Sequence, residues 1–415
     1  MTSKDFIVKD VERIVLNIPF HPRCAHVKEV RVSDWSIVEL CKVTTASGVV
    51  GIGETLPHYT WGRSGDEQFS RVRDRNLVDF LMDDGLGAGL QMALFDAAGK
   101  LLDVPCHRLM GSQYRETCPV SWWAQDMKPE EWAAEAKTAE AHGFTNIKVK
   151  ARPWFDIDQQ LGAVCEAVSP HFKLDADFNG LLLGVDLAAP LISRLEQKYS
   201  NLAIVESPIP QEDVEGNALL RQKIRTPIAM HMGSPPVMTA IREGVCDGFV
   251  IGGGVNRTLK DGILAERAQM PFWLQMVGTG LTTMFSVHLG AVLESARWPA
   301  IPCINIFSHN LLKEFNVEGG QVKVPQAPGL GVELDWDAIE QFRVEPDFKK
   351  PVARQIHTIL WPDGRQTHYP DGGYRSVFLA GKLPPFLPGV SLERRLDDGS
   401  DAFDREYRQL FPEAS

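Results

Sequence analysis

The chain has 415 residues, of which 44% are hydrophobic and 23% charged, so it is long enough to form a large core and two domains. Its formal net charge is −11 and it has no dense run of lysine or arginine, which argues against nucleic acid or an anionic membrane as a partner. There is no signal-peptide pattern or membrane-length apolar run, and the seven cysteines are scattered. We therefore expect a cytoplasmic protein with reduced thiols.

The first part of the chain, to about residue 84, is predicted to form antiparallel strands. Strand-like composition is found in "VERIVLNIPF" (11–20) and in "WSIVELCKVTTASGVVGIGE" (35–54), and the second run folds back at its "ASG" turn. A helix is predicted at "LQMALFDAAGKLLD" (90–103), where leucine and alanine recur at helical spacing.

From about residue 118, strand-like runs alternate with amphipathic helical runs. The strand-like runs are "PVSWWAQ" (119–125), "NIKVKA" (146–151), "FKLDADF" (172–178), "LAIVESPI" (202–209), "TPIAMHMG" (226–233), "DGFVIGG" (247–253), "PFWLQMV" (271–277) and "CINIFS" (303–308). Eight strands with helical crossovers, most repeating about every 20 to 30 residues, predict a (β/α)8 barrel. The alternative is a doubly wound open sheet, but the glycine-rich phosphate-binding motifs of such sheets are absent from the sequence.

The segment after about residue 336 is less regular. It contains "HTILWPDGRQTHYPDGGY" (357–374), in which Asp363 and Gly364 suit a tight hairpin turn. A short helix is predicted at "DAFDREYRQLF" (401–411).

Polar residues fall at the ends of four consecutive strands of the predicted barrel. They are Lys148 and Lys150, then Asp175 and Asp177, then Glu206, then His231. Each has a plain structural explanation, such as lysines that protect an edge strand or a hydrogen-bonded core histidine. Because active sites of these barrels form at the carboxyl ends of the strands, their coincidence there favours one functional site.

The residue types indicate the chemistry of this site. Carboxylate oxygens suit magnesium or manganese, and a bound dication holds a substrate carboxylate and stabilises the charge left when an α-proton leaves. Lys148 and Lys150 lie on the same face of a strand, and each lowers the pKa of the other. The pattern therefore favours one amine that takes the proton and a second that stays charged and binds the enolate.

The ordered set of motifs resembles the enolase superfamily, in its mandelate racemase/muconate lactonizing enzyme branch. The motifs are "GIGETLP" (51–57), "MALFDAAGK" (92–100), "KVK" (148–150), "LDAD" (174–177), "VESP" (205–208) and "GGQVKVPQAPGLGVELD" (319–335). The resemblance runs from about residue 5 to about residue 340. It implies an α+β capping domain (1–117), a (β/α)8 TIM-like barrel (118–312), and a segment (313–415) that returns to the cap and adds a C-terminal extension.

Carried over by position, the resemblance implies roles for the polar residues. Lys150 matches the base on strand two and Lys148 its electrostatic partner, while Asp175 and Glu206 match the first two metal ligands. The implied cofactor is a divalent metal, Mg²⁺ first. The implied partner is a small-molecule carboxylate substrate, and such proteins are commonly homo-oligomers.

The resemblance also implies that loops of the cap set substrate specificity. The corresponding stretches here are "IPFHPRCAH" (18–26) and "PHYTWGR" (57–63). The candidate specificity residues in them are His21, His26, Tyr59 and Trp61.

The sequence departs from the family pattern at four positions. His231 stands at the third acidic ligand, Gly252 at the strand-six lysine, Thr282 near a frequent strand-seven glutamate, and Asp177 where many members have asparagine. With His231 as a ligand the site tolerates Mn²⁺ or a softer ion. The alternatives are that His231 is a general acid or a core residue, and that Asp177 supplies the third carboxylate.

Gly252 bears on the reaction type. Racemases and epimerases need a base on each face of the substrate, and Gly252 leaves no obvious second base, so that chemistry is disfavoured. The sequence predicts a one-base lyase or isomerase that performs elimination, dehydration or cycloisomerisation. The alternative hypothesis is a diverged member that acts as a small-molecule binding or structural protein.

Overall fold

The N-terminal part combines an antiparallel sheet with a buried helix. The computed structural model of the protein describes residues 2–59 and 62–412. The strands here are β1 (Val8–Asn17), β2 (Ile37–Thr45) and β3 (Val50–Thr55), and the helices are α1 (Ala25–Arg31), α2 (Asp66–Val72) and α3 (Ala88–Leu102). Helix α3 lies directly on β3 because Gly51 and Gly53 have no Cβ; one added at Gly53 would lie 2.1 Å from the carbonyl oxygen of Gly89. This close approach explains the glycines of the "GIGE" motif.

The central part is a curled parallel sheet of seven strands, β5 to β11, with helical crossovers. Its strands, with the short β4 that precedes it, are β4 (Thr117–Pro119), β5 (Trp122–Ala124), β6 (Asn146–Lys150), β7 (Lys173–Asp177), β8 (Leu202–Glu206), β9 (Ile228–His231), β10 (Gly248–Ile251) and β11 (Phe272–Leu274). The helices are α4 (Pro129–Ala141), α5 (Ile157–Ala167), α6 (Val185–Lys198), α7 (Val214–Lys223), α8 (Val237–Glu243), α9 (Val255–Arg267) and α10 (Gly280–Val292). The predicted barrel architecture is confirmed.

The prediction of an eighth barrel strand at 303–308 is wrong. A short 3₁₀ helix, Ile304–Ile306, occupies that stretch, because Pro302 has no N–H to donate and Cys303 has a φ of 57°. The eighth position is filled instead by Ala300 and Ile301. The main-chain N–H of Ala300 donates to Pro119 at 2.9 Å, and that of Ile301 donates to Leu274 at 2.8 Å. These bonds close the barrel between β11 and the segment that leads into β5.

The register of the parallel strands sets the height of the charged residues. Lys148 is paired with Asp175 and Lys150 with Asp177 across β6 and β7, and Asp177 is paired with Glu206 across β7 and β8. Neighbouring strands therefore present amines and carboxylates at the same level near their carboxyl ends.

After the barrel the chain first returns to the N-terminal sheet and then forms a separate small sheet. The elements are β12 (Gln321–Lys323), α11 (Trp336–Phe342), β13 (Arg343–Val344), β14 (Gln355–Leu360), β15 (Gln366–Tyr369), α12 (Tyr374–Leu379), β16 (Ser391–Leu396) and α13 (Asp401–Leu410). Strand β12 pairs with β4 and β13 with β1. The predicted hairpin is confirmed: β14 and β15 are antiparallel, and Gly364 in the turn has a φ of 84°.

The C-terminal extension, β14 to α13, packs over the carboxyl ends of the first three barrel strands. Trp154, after β6, contacts Tyr374 and Phe378, and Phe178, after β7, contacts Phe386. Arg394 of β16 pairs with a buried aspartate after β5. Along the described parts of the chain, no helix has both the length and the apolar character needed to cross a membrane.

Candidate active site

Lys148 lies at the bottom of the barrel mouth, fully buried and held by polar partners. Its ammonium pairs with the Glu206 carboxylate, donates to Gln275 Oε1 at 2.7 Å, and lies 3.7 Å from Asp177 Oδ2. The ring of Trp273 lies 5.1 Å below it. Burial lowers the pKa of Lys148, but Glu206 and Asp177 outweigh burial and raise it above its usual value. Lys148 therefore stays charged.

Lys150, two residues on, has a different environment. Its ammonium donates to Asp177 Oδ2 at 2.5 Å, and its side chain keeps 17% of its surface exposed. Burial lowers the pKa of Lys150; Asp177 opposes this effect and the charge of Lys148 reinforces it, so that the net shift is downward. The two neighbouring amines thus have pKa shifts of opposite sign.

Asp177 is the counter-ion of this lysine pair. Besides the lysines, it accepts the main-chain N–H of Asn179 at 2.9 Å, and the Arg152 guanidinium donates to its main-chain oxygen at 2.8 Å. Burial raises the pKa of Asp177, but Lys150, Lys148 and Arg152 lower it well below its usual range. The position predicted as an additional ligand is therefore engaged with cations.

Asp175 and Glu206 are buried carboxylates with different partners. Asp175 takes part in no ion pair of the described residues, and the Asn146 side chain is its hydrogen-bond neighbour. Burial raises the pKa of Asp175 to about 7. Glu206 lies between two charged or chargeable groups: the Lys148 ammonium on one oxygen, and His231 Nε2 at 3.2 Å from the other.

The predicted metal ligands only partly form a metal site. Within residues 2–59 and 62–412, no three His, Cys, Asp or Glu side chains are placed to share one ion, so Asp175, Glu206 and His231 do not form a ready three-ligand set. The buried carboxylates of Asp175 and Glu206 still fit a hard divalent ion, because carboxylate oxygens are hard ligands and the Asp175 carboxylate is buried without an ion pair. The residues present therefore suit an ion held by these two acids.

A cavity of about 290 Å³ opens on the other side of the mouth, at the ends of β9 to β11. It is lined by His231, Gly252, Arg257, Gln275 and Tyr59, among others. A Cβ at Gly252 would lie 2.5 Å from the carbonyl oxygen of Gln275, so the backbone leaves no room for a side chain there. His231 is the imidazole that faces this space.

Thr282 does not replace the strand-seven glutamate as a charged group. It lies in the first turn of α10, and its main-chain N–H donates to the buried Glu54 at 3.0 Å. Glu54 also accepts from the Thr279 hydroxyl at 2.8 Å. These contacts join the N-terminal sheet to the barrel.

The predicted specificity residues lie in three different places. Tyr59 reaches the site, where its hydroxyl accepts a hydrogen bond from Gln275 Nε2 at 2.6 Å. His26 pairs at 2.6 Å with Glu131 of helix α4, and His21 lines a separate cavity of about 390 Å³. Trp61 lies outside the described residues.

Two residues of the site were missed from the sequence. Gln275 links Lys148 to Tyr59, and Arg152 supports Asp177. Gln275 could have been predicted as a site residue, because it follows the apolar run "PFWL" at the end of a barrel strand.

The curled parallel barrel sheet, the separate antiparallel sheets and the lysines and carboxylates at the strand ends together point to the enolase superfamily. Residues 131–338 match the family model described as "Enolase C-terminal domain-like". The chain belongs to this family, and the superfamily resemblance predicted from its motifs is confirmed.

Individual relatives are distant. The chain is 26% identical to D-xylonate dehydratase of Haloferax volcanii, over 74% of this chain and 85% of the relative. It is 24% identical to muconate cycloisomerase 1 of Rhodococcus opacus, over 81% of this chain and 98% of the relative. A solved mandelate racemase/muconate lactonizing family protein from Azoarcus sp. EbN1 superposes with a TM-score of 0.65 at 25% identity, covering 82% of this chain and 98% of that one.

Proposed function

We propose that the protein is a metal-dependent lyase or isomerase that removes the α-proton of a small carboxylate substrate with Lys150. The observation that carries this proposal is the pair of amines two residues apart on one strand face, of which Lys148 is held by Glu206 and Gln275 and Lys150 by Asp177. The relatives include dehydratases and cycloisomerases, whose names support the reaction class, and also a racemase.

The residues divide the work according to their surroundings. Lys150 takes the α-proton, because burial favours its neutral form. Lys148, fixed by Gln275 and kept charged by Glu206, stabilises the negative charge that develops on the substrate. A divalent ion held by Asp175 and Glu206, which we propose is Mg²⁺, would add a Lewis acid that stabilises the same charge.

The side of the barrel mouth formed by the ends of β9 to β11 supports one-base chemistry. Position 252 itself supplies no acid or base, and the backbone leaves no room for one there, which disfavours racemisation and epimerisation. His231 faces the cavity and lies 3.2 Å from Glu206, so it is placed either to complete the metal site after a side-chain rotation or to donate a proton to a leaving group. Dehydration and cycloisomerisation both fit this arrangement.

The first stage of the test is calorimetric titration with MgCl₂ of the native protein, Glu206→Gln and His231→Ala, with His26→Ala as a histidine control outside the site. We expect the native protein and the control to bind Mg²⁺ and Glu206→Gln to lose binding. Loss in His231→Ala as well would make His231 the third ligand, whereas retained binding would leave it the proton donor. A native protein that binds no divalent ion would contradict the proposal.

The second stage incubates the Mg²⁺-loaded protein with sugar acids and unsaturated acids in heavy water. We expect deuterium to enter the α-position of a substrate, and Lys150→Met to slow this exchange by roughly 10²- to 10⁴-fold. Exchange that survives in Lys150→Met would assign the base elsewhere.

A second candidate is a binding or structural protein without enolate chemistry. It is favoured by the direct pairing of Lys148 with Glu206, which satisfies a carboxylate that a metal would otherwise use. Absence of both Mg²⁺ binding and proton exchange would select this candidate.

A further inference from the structure

The C-terminal extension is bonded to the loop that follows β6. This loop (151–156) connects β6 to α5 and begins directly after the proposed base. The main-chain N–H of Phe386 donates to the oxygen of Pro153 at 3.1 Å, and the main-chain N–H of Asp156 donates to the oxygen of Val390 at 3.1 Å. The extension therefore holds this loop through main-chain hydrogen bonds at two points.

The extension also contacts the turn that follows β7. The buried ring of Phe386 packs edge to face on Phe178, with ring centroids 5.6 Å apart. One residue of the extension thus contacts the loops after two neighbouring strands, β6 and β7, which carry the lysine pair and its counter-ion. The family match ends at residue 338, so it does not include the extension that makes these contacts.

Arg152 links the loop after β6 to the counter-ion of the lysine pair. Its side chain is buried, one guanidinium nitrogen donates to the main-chain oxygen of Asp177 at 2.8 Å, and another donates to Asn179 Oδ1. The main-chain N–H of Asn179 in turn donates to Asp177 Oδ1 at 2.9 Å, and Asp177 Oδ2 accepts from Lys150 at 2.5 Å. Because a planar guanidinium fixes the directions of its donors, Arg152 sets the orientation of the turn that carries the Asp177 carboxylate.

We propose that Arg152 is a positioning residue for Lys150 and that the C-terminal extension holds Arg152 in place, which makes the extension part of the catalytic machinery. The proposal rests on the proposed function, in which Lys150 is the base, and deepens it. Arg152 acts through Asp177, whose carboxylate fixes the direction of the flexible Lys150 side chain. This matters because a displacement of about 1 Å at a reacting group can slow a reaction about a hundredfold.

The first test needs no substrate. The native protein, Arg152→Met, Asn179→Gly and Arg115→Met are treated briefly with acetic anhydride, and tandem mass spectrometry gives the acetylation rates of Lys150 and Lys148. Asn179→Gly keeps the main-chain N–H, tolerates the φ of 47° and removes only the side-chain acceptor of Arg152. Arg115→Met is the control, because Arg115 also donates to a main-chain oxygen, but to one in α10.

We expect the ratio of the Lys150 rate to the Lys148 rate to rise roughly three- to tenfold in Arg152→Met, the size of a typical hydrogen bond. Asn179→Gly should raise the ratio less, and Arg115→Met should leave it unchanged. Lys148 has partners of its own, so a general loosening of the fold would raise both rates and leave their ratio near the native value.

The second test measures kcat and KM for α-proton exchange in heavy water, with an acid that the native protein exchanges. Arg152→Met should lower kcat by about tenfold or more and change KM by less than about twofold, because a displaced base slows the chemical step and leaves substrate binding intact. Asn179→Gly should lower kcat less. Arg115→Met should lower the melting temperature and keep the native kcat.

Two variants of the extension test its part in the proposal. Phe386→Ala removes the ring that packs on Phe178, whereas Phe403→Ala removes a buried ring of the same extension that stacks on Tyr407. We expect Phe386→Ala to raise the acetylation ratio and to lower kcat, both by less than Arg152→Met does. Phe403→Ala should lower the melting temperature and leave both quantities at their native values.

An unchanged acetylation ratio or an unchanged kcat in Arg152→Met would overturn the positioning role; if that variant does not fold, Asn179→Gly decides in its place. Native values of both quantities in Phe386→Ala would overturn the role of the extension. A raised ratio in Arg152→Met, in a protein that exchanges no acid, would refute the proposed function alone. Exchange that depends on Lys150 but not on Arg152 would refute the positioning role alone.

Discussion

Two buried aspartates near the barrel mouth, Asp126 after β5 and Asp175 in β7, have opposite surroundings. Asp126 pairs with Arg394 of the C-terminal extension, lies 3.5 Å from Arg31, and accepts from Trp154 Nε1 at 2.8 Å. Asp175 has no ion pair within the described chain, and burial raises its pKa to about 7. The comparison teaches that a carboxylate paired with arginines joins parts of the fold, whereas a buried carboxylate without an ion pair is available for a ligand.

The largest loss of stability is expected when the ion pair between Asp126 and Arg394 is broken. Arg394→Met removes the main counter-ion of Asp126 and leaves that carboxylate buried, which should lower the free energy of unfolding by roughly 3–5 kcal/mol. Urea unfolding followed by circular dichroism measures this loss.

The matched control is Arg354→Met, which removes an exposed arginine of the same extension that pairs with Asp397 and Asp404. Its effect should be far smaller, because exposed ion pairs contribute little. Equal losses in the two variants would show that Asp126 does not depend on Arg394.

The pH dependence of stability gives the next effect. Burial raises the pKa of Asp126, but Arg394 and Arg31 outweigh burial and hold it well below the ordinary 3.8. As the pH falls, the unfolded chain therefore takes up this proton before the folded chain does, so the stabilisation is complete above the ordinary pKa and is lost below it. Urea unfolding at a series of pH values measures the free energy of unfolding of the native protein and of Asp126→Asn. The difference between these two free energies should be constant near neutrality and shrink below about pH 4. A difference that grows on acidification would contradict this assignment.

The smallest change in stability is expected from a substitution of Asp175. Without divalent ions, Asp175→Asn should leave the free energy of unfolding at neutral pH unchanged or raise it by about 1 kcal/mol, because it removes a buried carboxylate that has no ion pair. The same variant should lose the rise in melting temperature that Mg²⁺ gives the native protein. A loss of stability as large as that of Arg394→Met would mean that Asp175 has a structural partner.

The sequence predicted the elements that follow a local pattern. Lys148, Lys150, Asp175 and Glu206 end apolar runs of strand length, and the common register of parallel strands brings such ends together. The eighth strand was wrong because "CINIFS" has the composition of a strand, whereas Pro302 before it and the left-handed backbone of Cys303 prevent pairing.

Contacts between single residues of distant elements could not be predicted. Nothing local to Lys28 indicates that it lies over Trp123, and nothing near Asp126 indicates that Arg394 is its counter-ion. Even at strand ends, the direction of each pKa shift depends on neighbours from other strands. The two lysines of "KVK" predicted that each lowers the pKa of the other, but the Glu206 carboxylate raises the pKa of Lys148.

The pairing of Asp126 with Arg394 can form only late in the synthesis of the chain. The two residues are 268 positions apart, which a ribosome covers in roughly 15 to 50 s. Throughout that interval the nascent barrel holds an acid whose main counter-ion has not yet been made. The rim around β5 therefore acquires its final charge balance only when translation of the extension is almost finished.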